Sequence, residues 1–156
     1  MIDDLQGLLR SAVSDVFATM LNMPLQFDGA APEAANGQPH IAGAVGFTGG
    51  INGVIYFYSS VKFARQMTSV LVGLPDHEIH GDEMINDAIG ELTNMVGGRI
   101  KSHLCDRGET CVMTIPAVVR GSDFQVESIS GARRLQLQMI AQGNPVRLEL
   151  LLKISA

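Results

Sequence analysis

The sequence predicts an α+β fold in one domain spanning residues 1–156: a largely antiparallel sheet packed against a few helices, one of them long. Three observations carry this expectation. Residues 3–22 set apolar side chains three and four apart; residues 41–60 and 133–154 alternate apolar and polar; and residues from about 82 to 104 return to helical spacing over a much longer run. With 156 residues, 46% of them hydrophobic and 17% charged, the chain is long and apolar enough to close a core.

The first element, "DDLQGLLRSAVSDVFATMLN", puts Leu5, Leu8, Leu9, Ala12, Val16 and Met20 on one face, with Asp3 and Asp4 at the positive end of the helix dipole and Pro24 closing it. "LQFDG" reads as a short strand and "AAPEAANGQPH" as a loop. "IAGAVGFTGGINGVIYFYSS" reads as a hairpin turning near Thr48-Gly49-Gly50, rich in strand-favouring residues. Val61, Ala64, Met67 and Leu71 then mark a second helix, stopped at Gly73. After the loop "LPDHEIHGD", Asp82 is the expected N-cap of the long helix. "CVMTIPAVV" is strand-like but broken by Pro116, which predicts a sheet edge or a bulge. "QVESIS", "RRLQLQMIA" and "VRLELLLKI" complete the sheet, the last two joined through Gln142-Gly143-Asn144-Pro145. Their alternation places Arg147, Glu149 and Lys153 on a wet face.

Charge narrows the function. A formal net charge of −5, with Lys and Arg scattered, argues against nucleic acid and against an anionic membrane surface. Cys105 and Cys111 are too few for a disulfide framework and fit a reducing compartment. The acidic N-terminus is unlike a secretory signal, and no apolar run approaches a membrane span, so the expected location is the cytoplasm.

The long helix raises a question of its own. "IGELTNMVGG" holds Gly90, Gly97 and Gly98, each costing about 1 kcal/mol relative to Ala in an exposed helix interior. At 100° per residue, Ile85, Ala88, Ile89, Leu92, Val96 and Ile100 form the core side. Asp87, Glu91, Asn94, Gly98 and Lys101 fall opposite, with Glu91 and Asn94 one turn apart and Gly98 bare beyond them. Glu83 and Asn86 repeat the same spacing, so the pattern alone is weak. Glycines suit a helix that a backbone or a bulky partner approaches closely, although Gly90 and Gly97 serve packing equally well. Chemically, an ionised Glu only accepts hydrogen bonds, whereas an Asn both donates and accepts. An amide can hold a water and aim its lone pair, as a Gln does in GTPases. A carboxylate there would repel a phosphoryl oxygen, so Asn94 is the better positioner and Glu91 the better grip for a partner's cation.

"DAIGELTNMVGG", with "VFATMLN" in the first helix and the "GFTGGINGVIYF" hairpin, resembles the CheC/CheX/FliY family of chemotaxis phosphatases. CheC-like members carry a second such motif near the N-terminus; here Asp15-Val-Phe-Ala18 lacks the amide, so the resemblance is to the single-motif CheX type. The resemblance implies a phosphatase acting on a phosphorylated CheY-type response regulator. In it Asn94 orients the hydrolytic water and Glu91 pairs with the regulator's active-site lysine. It implies a homodimer joined through its sheets, no cofactor held by this chain, and Mg²⁺ in the partner. Asp87, Met95 and Gly98, around the pair, are the expected partner contacts. The rival from another class is a non-catalytic module that binds a regulator or a flagellar switch component.

Other stretches are weaker. "GFTGGING" lacks the Gly-Lys-Ser/Thr ending of a phosphate loop and lies between strands. His77 and His80, or His103 with Cys105 and Cys111, would be an incomplete metal set, and a metal-binding or redox domain is the third reading.

Overall fold

Seven strands pair into one antiparallel sheet in the computed structural model, which describes residues 4–27, 39–106, 111–122 and 131–154. The strands are β1 (Leu25–Gln26), β2 (His40–Gly49), β3 (Ile51–Ser60), β4 (Cys111–Met113), β5 (Ala117–Gly121), β6 (Arg133–Ala141) and β7 (Asn144–Ile154). Their spatial order is β1-β6-β7-β3-β2-β4, with β5 also pairing β2. The helices are α1 (Leu5–Val16), α2 (Val61–Val72) and α3 (Gly81–Asp106). α3 packs on β2 and on both other helices, α1 reaches β6, and α2 reaches β3.

The order of elements is the expected one, and local chemistry explains most boundaries. Ser60 caps α2 by accepting from the Phe63 N–H at 3.1 Å, and Gly73, at φ 73°, ends it in the left-handed region. The β6–β7 turn is tighter than the sequence implies. Gln142 and Gly143, at φ 49° and 78°, make it alone, and Asn144 and Pro145 already pair with Ala141 and Ile140. Asn144 Nδ2 donates back to the Ala141 and Gln142 carbonyls, which lets the two-residue turn close. Asp82 is not the cap of α3: the helix begins at Gly81, and Asp82 lies in its first turn. Pro116 does mark a break at an edge, since β4 and β5 stop on either side of it and both pair with β2. The expected strand at "QVESIS", most of the 30–40 loop and Asp3 lie outside the described residues.

Two expectations about faces need correction. Met20 is not in the core with Leu5, Leu9 and Val16. Phe17–Leu21 winds as a π-turn, and the extra residue per turn rotates position 20 outward, leaving it 39% exposed. Nor is the sheet's second face simply wet. Glu149 is fully buried on it, accepting from Tyr58 Oη at 2.7 Å, from Arg134 Nε at 2.9 Å, and from Gln136 Nε2. The Arg147 guanidinium stacks 4.1 Å over the Tyr58 ring, and Leu151 is buried nearby in sequence. Long polar side chains from β3, β6 and β7 roof the carboxylate and exclude water from a face that alternation alone marks as solvated. Burial raises its pKa, but hydrogen bonds from Gln136, Tyr58 and Arg134 outweigh that and hold Glu149 below the ordinary carboxylate range.

Candidate functional site

The rotation of α3 is set by what its buried side meets. Ile85, Ala88, Ile89, Leu92, Val96 and Ile100 are all buried, as their spacing requires. Thr93 is buried as well, and its Oγ1 donates to the Ile89 carbonyl at 2.7 Å. It faces Gly43 of β2: a Cβ there would stand 2.0 Å from Thr93 Oγ1 and 3.2 Å from the Ile89 carbonyl. β2 therefore needs a glycine for the helix to sit this close. With Leu92 and Thr93 held in the core, the flanking Glu91 and Asn94 are turned to the surface, Glu91 exposed and Asn94 half-buried.

The three glycines divide as geometry dictates. A Cβ on Gly90 would meet Val118 at 3.7 Å and Pro116 at 3.8 Å, and one on Gly97 would meet Met113 at 3.2 Å and Val45 at 3.3 Å. Both positions serve packing, Gly97 more tightly. A Cβ on Gly98 would meet nothing within 4 Å. Gly98 is one turn beyond Asn94, so the surface beside the pair is open where a side chain would otherwise stand. Among the described residues, Glu91 and Asn94 have no hydrogen-bonding or ion-pairing neighbour. Their polar atoms are available to a visitor.

The competing Glu83/Asn86 pair is different. Arg120 Nε donates to Asn86 Oδ1 at 2.7 Å, while the same guanidinium reaches the Asp82 carbonyl at 3.2 Å and its carboxylate at 3.4 Å. Asn86 thus ties the start of α3 to β5. Sequence spacing alone does not separate the two pairs; the strand that carries Arg120 does.

Of the other expected contacts, Asp87 is exposed one turn before Glu91, and Met95 and Gly98 border an open groove of about 380 Å³ between α1 and α3. Val16, Thr19 and Met20 line its other wall. Arg99, on its rim, pairs with Asp15 at 3.5 Å, so the acid of the degenerate N-terminal Asp-x-x-Ala stretch has a structural partner. Met20 was not visible as a site residue in the sequence, because its spacing fits the core until the π-turn displaces it. His77 and His80 are exposed, Cys111 is buried in β4, and among the described residues no group of three or more His, Cys, Asp or Glu is placed to hold a metal. Among the described residues, no helix is long and apolar enough to cross a membrane.

Comparison with known proteins identifies relatives of the chain and of its fold. Residues 41–139 match the family model described as chemotaxis phosphatase CheX. The chain is 31% identical over 106 residues to the CheY-P phosphatase CheX of Thermotoga maritima, covering 67% of each. The structure of chemotaxis protein CheX from Desulfovibrio desulfuricans superposes with a TM-score of 0.80, at 21% identity, covering 96% of this chain and 99% of that one. A CheX–CheY–BeF3–Mg²⁺ complex from Borrelia burgdorferi superposes with a TM-score of 0.76, at 20% identity, covering 98% and 99%. The α+β fold expected from the sequence is the fold these structures share.

Proposed function

The chain belongs to the chemotaxis phosphatase CheX family, and from that premise we propose that it hydrolyses the aspartyl phosphate of a CheY-type response regulator. The observation that carries the reading is the bare ridge of α3, where Glu91 and Asn94 stand unengaged beside the open position at Gly98. The Asn94 side-chain oxygen accepts a hydrogen bond from a water and directs the water's lone pair at phosphorus. As the new P–O bond forms, the bond to the regulator's aspartate breaks, releasing the carboxylate and dihydrogen phosphate. Alignment of the water dominates such a step, so a neutral amide suffices. Glu91 pairs with the regulator's lysine, which docks the phosphoryl group over Asn94. The aspartate and the Mg²⁺ that offsets the phosphoryl charge belong to the regulator, and this chain contributes no cofactor. Asp87, Met95 and the groove at Gly98 meet the regulator's surface.

The test is the decay of a phosphorylated CheY-type receiver with and without this chain. Wild type accelerates it. Asn94→Ala keeps binding but loses about 10²-fold of the rate, because one positioning group is removed with no change of charge. No acceleration by wild type would leave only the non-catalytic docking reading, and equal rates for wild type and Asn94→Ala would remove Asn94 from the mechanism.

The sheet ends in short strands on both sides, β1 at one edge and β4 with β5 at the other, and a bare edge of this kind is suited to pairing with a second copy. We propose a homodimer with two outward-facing sites; a light-scattering mass near 16.7 kDa, rather than twice that value, would refute it.

A further inference from the structure

Ile115 is 89% exposed, more than any other large apolar side chain among the described residues. A single exposed isoleucine is ordinary; its setting is not. It stands in the Thr114–Pro116 connector between β4 and β5, and that connector is pinned. The Thr114 N–H donates to the Gly46 carbonyl at 2.9 Å, and the Gly46 N–H donates to Thr114 Oγ1 at 2.8 Å.

The connector also follows α3 along the motif. Met113 lies against Gly97 and Pro116 against Gly90. Seven helical residues rise about 10.5 Å, and three extended residues span about 10 Å, so the connector runs antiparallel beside this one interval. Ile115 is therefore level with residues 91–94. Around the axis, Gly90 and Gly97 lie about 40° and 60° to one side of Asn94, and Glu91 about 60° to the other. A protein that brings a phosphoryl group to Asn94 therefore approaches α3 beside the connector.

We infer that Ile115 is an apolar anchor for the response regulator, an inference that rests on the proposed function. It seats in an apolar patch beside the regulator's phosphorylation pocket. The glycines at 90 and 97 serve the site indirectly, by letting the connector lie close enough to present Ile115 on the same surface as Glu91 and Asn94. Because the backbone is already held, burying this side chain orders little else.

The test compares Ile115→Ser and Ile115→Leu with wild type, using a beryllofluoride-activated CheY-type receiver for affinity and phosphate release for turnover. Ile115→Ser is expected to raise Kd and KM about ten-fold while leaving kcat, thermal stability and oligomeric mass unchanged, since full burial of such a side chain is worth a factor of this size or more. Ile115→Leu restores affinity. If Ile115→Ser binds like wild type while wild type is active, the inference fails and the function stands. If Ile115→Ser halves the oligomeric mass, Ile115 belongs to a subunit contact and the inference is overturned. If wild type neither binds nor dephosphorylates the receiver, the function fails and the anchor with it.

Discussion

Gly98→Ala separates the two reasons a helix keeps a glycine. In a helix interior, Gly is about 1 kcal/mol worse than Ala. The added Cβ at 98 meets nothing within 4 Å, so no steric cost offsets that gain. For a chain of 156 residues, 1 kcal/mol corresponds to about 2–4 °C in Tm. Gly98→Ala should therefore melt higher than wild type. Gly97→Ala should gain less or nothing, because its Cβ would press Met113 at 3.2 Å and Val45 at 3.3 Å. Yet the methyl at 98 stands one turn from Asn94 on the rim of the groove, where the partner is proposed to approach. Gly98→Ala should then dephosphorylate the receiver about ten-fold more slowly, through a misplaced phosphoryl group. Thermal unfolding and phosphate-decay kinetics on the same preparations read both effects. A lower Tm would show that position 98 is not open. A higher Tm with unchanged turnover would show that the bare ridge serves no partner.

Glu91→Gln keeps the shape of the ridge and removes its charge; receiver binding should weaken and its salt dependence flatten, and an unchanged affinity across a salt series would reduce Glu91 to a solvated helix residue. Glu149→Ala breaks the buried cluster with Tyr58, Arg134 and Gln136 and should cost about 3 kcal/mol in denaturant unfolding, leaving α3 and its site in place; a loss under 1 kcal/mol would show that the cluster contributes little. The same cluster sets limits of pH. Glu149 is held below its ordinary range, so the unfolded chain takes up its proton first, and stability present at neutral pH is lost as pH falls below about 4. Burial and the Glu149 carboxylate push the Tyr58 phenol upward, so the unfolded phenol ionises first and stability falls as pH rises above about 10. An alkaline limb unchanged in Tyr58→Phe would remove Tyr58 from that account.

Much of this was legible in the sequence, because periodicity is a local property. Alternation at 133–141, the left-handed stop at Gly73 and the six apolar positions of α3 each depend on neighbours within a few residues, and the structure has them as expected. The motif face was legible for the same reason, since rotation about one helix follows from its own pattern. Long-range pairing was not. Which Glu-x-x-Asn pair is structural depends on Arg120, 34 residues beyond Asn86. Which glycines pack depends on Val45, Met113 and Pro116, and the burial of Glu149 depends on Tyr58, 91 residues away.

The sequence by itself determined the α+β class, the order of helices and strands, and a surface ridge bearing an acid and an amide one turn apart. Tertiary structure alone decided that Gly43 lets Thr93 into the sheet, that Asn86 is occupied while Asn94 is not, that a π-turn swings Met20 into a groove, and that the β4–β5 connector brings Ile115 level with the pair. The physical reason is that amphipathic spacing states which side of an element is dry, but not which distant segment dries it.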